Sequence, residues 1–156
     1  MAERDYKHLL LAVDFAPDAE AVIERALKLR TSCGARLSLL HVLEYVPQAV
    51  ELMPMSYAGD MALPETFDLE GELIAAAQAQ LDALGERLQV PAEDRHIQVG
   101  PTGHVIQATA QELGADLVIL GSHGRHGLKA LMGSTAKSVV HGLCCDLLCV
   151  RIQEGT

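Results

Sequence analysis

The chain has 156 residues, enough for one hydrophobic core of ordinary size, and carries a formal net charge of −9. Its 12 Lys and Arg against 21 Asp and Glu leave no basic footprint for DNA or RNA, whose phosphates would have to be neutralised by those cations. No apolar stretch approaches the roughly 20 residues that cross a bilayer, and the start Met1-Ala2-Glu3-Arg4-Asp5 is charged rather than signal-like, so a soluble cytoplasmic protein with no membrane partner is expected.

Apolar runs alternate with amphipathic segments. His8 to Val13 reads as a buried strand, followed by a helix from about Ala16 to Cys33. Pro17 suits the first helical turn, Asp18 and Glu20 favour its positive end, and Ala19, Val22, Ile23, Ala26 and Leu27 form one face before Gly34 stops it. A second strand spans about Arg36 to Val42. A stretch rich in Pro, Met and Gly then runs through roughly Phe67, with Met53, Met55, Tyr57 and Met61 offering either a partner-binding surface or side chains that pack on the core.

The next helix places Leu69, Leu73, Ala77, Leu81, Leu84 and Leu88 on one side, and Pro91 follows it. A third strand is expected over about Arg95 to Val99. The helix after it carries Val105, Ile106, Thr109, Ala110 and Leu113 and ends at Gly114. Asp116 to Leu120 forms a fourth strand, Thr135 to about His141 a short helix, and Leu147 to Ile152 a last strand. Strands separated by helices require right-handed crossovers, which gives a single α/β domain over 1–156: a three-layer sandwich whose mostly parallel sheet has five strands and helices on both faces.

The most informative segment follows the fourth strand. Leu117-Val118-Ile119-Leu120 stops at Gly121-Ser122-His123-Gly124, and Gly133-Ser134-Thr135 then opens a helical pattern. Glycines leave backbone N–H groups open to close approach, and with two hydroxyls and a helix N-terminus they suit a phosphate; without a ligand, the same glycines simply make a tight turn. Arg125 matches phosphate oxygens in shape, or is a solvated loop arginine. His123 and His126 have no paired carboxylates, nucleophile elbow or Walker lysine beside them, so no dedicated enzyme is expected, at most a weak incidental ATPase.

Asp14, at the tip of the first strand, has two open roles: to accept a ribose hydroxyl or hold Mg²⁺ through water, or to cap the helix that begins near Pro17. The four cysteines, Cys33, Cys144, Cys145 and Cys149, are expected to be reduced. His141, Cys144 and Cys145 hold soft ligand types at a spacing poor for zinc, and Cys149 reads as a small buried hydrophobe.

Four blocks resemble the universal stress proteins in order and spacing: Lys7 to Asp14, the Leu39-Leu40-His41-Val42 strand end, Gly114 to Arg125, and Cys149-Val150-Arg151. The resemblance covers nearly the whole chain. It implies strand order 3-2-1-4-5, homodimerisation and, in one branch of the family, ATP held by a G-x2-G-x9-G-S/T motif. Here Arg125 to Met132 supplies eight residues between Gly124 and Gly133 instead of nine.

Carried over by motif position, Gly121, Gly124, Gly133 and Ser134 would cradle the phosphates, continued by Thr135 and Ala136, with Arg125 beside them. Ala12, Val13, Asp14, Val42 and Leu120 would line the adenine and ribose. Two functions follow: a dimeric stress-response regulator that binds ATP or another adenine nucleotide, with or without Mg²⁺, or a dimeric interaction protein without nucleotide that acts on an unknown protein partner. An open last strand invites antiparallel pairing with a second copy, in agreement with the family's dimer.

Overall fold

The computed structural model describes residues 5–44, 69–121 and 139–151. Strand β1 (His8–Ala12) is followed by helix α1 (Glu20–Cys33), strand β2 (Arg36–Leu43), helix α2 (Leu69–Leu88) and a 3₁₀ turn (Ala92–Asp94). Strand β3 (Arg95–Val99), helix α3 (Thr102–Leu113) and strands β4 (Leu117–Gly121) and β5 (Asp146–Val150) complete the order, with one helical turn at 139–142. The sheet order is β3-β2-β1-β4-β5, and all four strand pairs are parallel.

Parallel strands covered on both faces read as continuous apolar runs rather than alternating ones, and β1 is such a run at the centre of the sheet. Leu9, Leu10 and Leu11 are all fully buried. Successive side chains still point to opposite faces. Leu9 and Leu11 join Leu37, Leu39, Leu117 and Ile119 beneath Val22, Ile23 and Ala26 of α1 and Leu81, Leu84 and Leu88 of α2. Leu10 joins Leu40, Val118 and Leu120 beneath Ile106 and Ala110 of α3, with Val139. Burying a leucine is worth about 1.5–3 kcal/mol, so this central trio dominates the choice of register.

Helix ends are fixed by backbone chemistry. Gly34 and Gly114 adopt φ of 62° and 67° and donate back into the last turns of α1 and α3. After α2 the left-handed position falls to Gln89, φ 55°, and Arg30 of α1 donates to the carbonyls of Leu88 and Gln89 at 2.5 and 2.9 Å, closing the end that lacks a glycine.

Helix α1 starts later than the sequence suggests. Pro17 to Ala19 form a turn, closed by Ala19 N–H to the Ala16 carbonyl at 3.0 Å, and the helix proper begins at Glu20. Proline and early acids mark a helix entrance without fixing which turn is α-helical. Leu73 of α2, expected in the core, is 38% exposed, whereas Ala77, Leu81, Leu84 and Leu88 are buried. Ile152, the Met-rich stretch and the start of the helix expected at Thr135 lie outside the described residues. Among the described residues, no helix is long and apolar enough to cross a membrane.

A polar cluster lies toward the amino end of the sheet. The Asp94 carboxylate, 3% exposed, accepts from Arg36 Nε at 2.9 Å and pairs with its Nη2, which holds its pKa below the usual 3.8. His8 Nε2 meets the Ser38 hydroxyl at 2.7 Å, both residues buried. His96 Nε2 is buried with no hydrogen-bond partner among the described residues. Burial lowers the His96 pKa from the usual 6.5; Asp94 and Glu112 oppose the shift, and Arg36 and His8 add to it.

A base with a depressed folded pKa stabilises the protein above its unfolded value, and that contribution is lost as pH falls through the folded value. Urea unfolding midpoints are therefore expected to fall as pH drops below 6.5, with a shallower slope in His96→Gln. The Asp94 contribution is present above 3.8 and disappears at more acid pH. An identical slope in wild type and His96→Gln would remove His96 from the account.

Candidate nucleotide site

The winding of the sheet reverses at β1, which pairs with β2 on one side and β4 on the other, and in such folds a ligand sits beyond the carboxyl ends of the strands at that reversal. The tips of these three strands meet there. Ala12 of β1 with Val13 and Asp14 just beyond it, Val42 of β2, and Leu120 and Gly121 of β4 line one slot of about 60 Å³. The structure brings together all six sequence-expected residues that it describes. Gly124, Arg125, Gly133, Ser134, Thr135 and Ala136 lie outside the described residues, as do Ser122, His123 and His126.

The slot is apolar on its walls and polar at its mouth. Val13, Val42 and Leu120 are 6%, 8% and 5% exposed, and Ile23 of α1 and Ile106 of α3 close the two sides. At the mouth, Asp14, His41 and Val42 are shared with a wider recess of about 830 Å³, walled also by Glu44 and by Ala77 and Gln80 of α2. Among the described residues lining either space there is no Lys or Arg.

The loop after β1 is held in a tight, specific shape. Val13 N–H bonds the Leu40 carbonyl at 2.8 Å, extending the ladder by one residue. Asp14 Oδ1 accepts from the N–H of Ala16 at 3.0 Å, an Asx-turn. The helix-capping role for Asp14 is thereby corrected: α1 begins six residues later, at Glu20, and its entrance has no side-chain cap. No partner within hydrogen-bond distance is seen for Oδ2 among the described residues.

Phe15 takes φ of 57°, a conformation that costs a non-glycine residue about 1–3 kcal/mol and is typical of functional loops. His41 braces it. The imidazole Nδ1 lies 2.7 Å from the Val13 carbonyl, and the ring packs against Phe15 at a centroid distance of 4.7 Å. An oxygen acceptor at that distance requires Nδ1 to carry the proton.

His41, Thr102, Ile106, Ala19, Val22 and Ile23 also line the slot, and sequence reasoning did not place them there. Thr102 opens α3 and donates its hydroxyl to the Glu44 carboxylate at 3.3 Å, tying the helix to the end of β2. His41 had a usable signal, since it immediately precedes Val42 at a strand end. The helix residues had none beyond periodicity, which makes them core and does not say that the core opens at that point.

The cysteines are free among the described residues; Cys144 is exposed, and Cys33, Cys145 and Cys149 are half-buried. Cys149, read as a small buried hydrophobe, packs against the core cluster under α3 but is only partly covered, because β5 lies at the sheet edge. Among the described residues no group of three or more His, Cys, Asp or Glu side chains is placed to hold a metal ion.

The profile of the universal stress protein family matches residues 5–151. The chain belongs to that family. It is 35% identical over 149 residues to universal stress protein A homolog 1 of Coxiella burnetii, covering 96% of this chain and 99% of that protein. Among solved structures, the universal stress protein UspA from Lactobacillus plantarum is 23% identical with a TM-score of 0.66, over 96% of this chain and 100% of that one. A universal stress protein crystallised in complex with cAMP superposes with a TM-score of 0.62 at 16% identity, over 94% of this chain and 98% of its own. The five-stranded parallel sheet in the order 3-2-1-4-5 is the fold of these family structures.

Proposed function

We propose that this universal stress protein is a cytoplasmic, dimeric stress-response regulator that binds ATP or another adenine nucleotide in the β1–β2–β4 cleft. The observation that carries the reading is the convergence of Ala12, Val13, Asp14, Val42, Leu120 and Gly121 on one slot at the reversal point of the sheet. Apolar walls accept the faces of a purine, and the Asp14 oxygen left over from its turn is an acceptor for a ribose hydroxyl or a ligand-bound water of Mg²⁺. That a protein of this fold was crystallised with an adenine nucleotide is in keeping with this choice of ligand.

The described walls contain Asp14, Asp18 and Glu44 and no cation, so they suit the nucleoside better than the phosphates. The phosphates fall to the segment from Gly121 onward, with Gly124, Arg125, Gly133, Ser134, Thr135 and Ala136, and Mg²⁺ would offset the nearby carboxylates. The same inventory argues for a binding protein rather than an enzyme. The sequence has no Walker lysine, and among the described residues of the cleft no base is paired with a cation that would clamp a γ-phosphate, so turnover is expected to stay far below the usual enzymatic range of roughly 1 per second.

Nucleotide occupancy would act on the shape of the dimer and on its choice of protein partner. The second reading, a dimeric interaction protein without nucleotide, is favoured by one observation, the eight-residue spacing between Gly124 and Gly133. Native mass spectrometry of the purified protein separates the two. Co-purifying ATP, ADP or AMP, or a thermal shift with added ATP and Mg²⁺, is expected; an empty protein whose melting is indifferent to both would favour the second reading.

A further inference from the structure

Cys144 and Cys145 are consecutive, and they occupy the bend between the helical turn at 139–142 and the first residue of β5. Their side chains are neighbours, and Cys144 is among the groups that act on the Cys145 thiol. Both line a recess of about 560 Å³, beside Tyr6, Asp116 and Asp146, at the opposite end of the sheet from the nucleotide cleft. Cys144 is exposed and Cys145 half-buried, so the pair is open to a small reagent from one side.

We propose that Cys144 and Cys145 form a dithiol site for trivalent arsenicals, closing both sulfurs onto one arsenic atom. The surroundings discriminate among thiophilic ligands. Burial first, then Cys144 and the carboxylates of Asp146 and Asp116, push the Cys145 thiol up to about 11, which keeps it protonated at neutral pH. Structural zinc takes thiolates from four converging donors, and no such group gathers among the described residues. An organoarsenical carries its third substituent with it and needs only two thiols. A vicinal disulfide would require an external oxidant, whereas arsenic stays trivalent throughout: two As–S bonds form, two S–H bonds and the arsenic–oxygen bonds break, and both protons leave in water.

The site adjoins the edge strand. Asp146, the residue after Cys145, accepts the Tyr6 hydroxyl at 2.8 Å, so bridging the sulfurs would act next to the contact that ties the start of β5 to the residues before β1. The test uses the full-length reduced protein, equimolar phenylarsine oxide and intact-mass spectrometry, first in excess glutathione and then in ethanedithiol. One phenylarsenic group per chain is expected to survive the monothiol and to leave with the dithiol. The Cys33→Ser/Cys149→Ser double variant should retain it fully, and Cys144→Ser or Cys145→Ser should lower retention at least tenfold with unchanged circular dichroism. Peptide mapping of the wild-type adduct locates the group without any substitution. Arsenic mapped to Cys33 or Cys149, or a wild type that loses it to glutathione, would overturn the assignment.

Discussion

Replacing Ala12 by leucine is expected to raise the dissociation constant for ATP by at least about 100-fold, a loss of about 2.7 kcal/mol. Ala12 ends β1 opposite Leu40 and lines the slot. A leucine there adds three carbons to a space of about 60 Å³ already bounded by Val42, Leu120 and Ile106. Position 12 faces a cleft instead of a closed core, so the added bulk displaces ligand before it displaces protein, and overpacking should cost no more than about 1–3 kcal/mol of stability. Gly124→Val and Gly133→Val should act at the phosphate end, because a branched side chain occupies the space the phosphates need and restricts the backbone. Calorimetric titration with ATP and Mg²⁺ reads all three beside Val99→Ala, a change at a residue 43% exposed on the far edge strand that should leave affinity unaltered. Wild-type affinity in Ala12→Leu would move the ligand out of the slot.

The strand ends of this cleft were legible because each apolar run stops at a residue of different chemistry: Val13 at Asp14, Leu120 at Gly121. Periodicity located the strands to within one or two residues, and the parallel crossover rule placed their carboxyl ends on one side. The internal shape of the loop was not legible. A phenylalanine gives no signal for φ of 57°; it holds that conformation because Asp14 closes a turn onto Ala16, and because His41, distant in the chain, packs on the ring and bonds the Val13 carbonyl 28 positions away. Asp14 beside Pro17 also fits a helix cap on sequence grounds, and only the start of α1 at Glu20 decides between a cap and an Asx-turn. Thr102 enters the site through the packing of α3 on the sheet, which no local pattern encodes.

The proposed dimer should come apart on insertion of a single proline in β5, and the position of that proline should matter. Among the described residues β5 is an edge strand bonded only to β4, in the register Val118 to Leu147, Ile119 to Leu148 and Leu120 to Cys149. Along a strand, successive N–H groups point to opposite sides, so of Leu148 and Cys149 one donates toward β4 and the other toward the open edge. Proline at the inward position removes a bond of the sheet and should lower stability. At the outward position it leaves the sheet intact and deprives a second copy of its donor, while the ring obstructs close pairing. Val150 is a poorer site, since it is 7% exposed and belongs to the core cluster under α1 and α2, so its loss would confuse packing with pairing. Size-exclusion chromatography with light scattering, run with circular dichroism on Leu148→Pro and Cys149→Pro, should find one variant folded and monomeric, with dimer dissociation raised at least tenfold, and the other destabilised. If the variant that keeps its fold also stays dimeric, the two-fold interface does not run along β5, and the edge that the sheet leaves open is covered by something other than a second copy of the same strand.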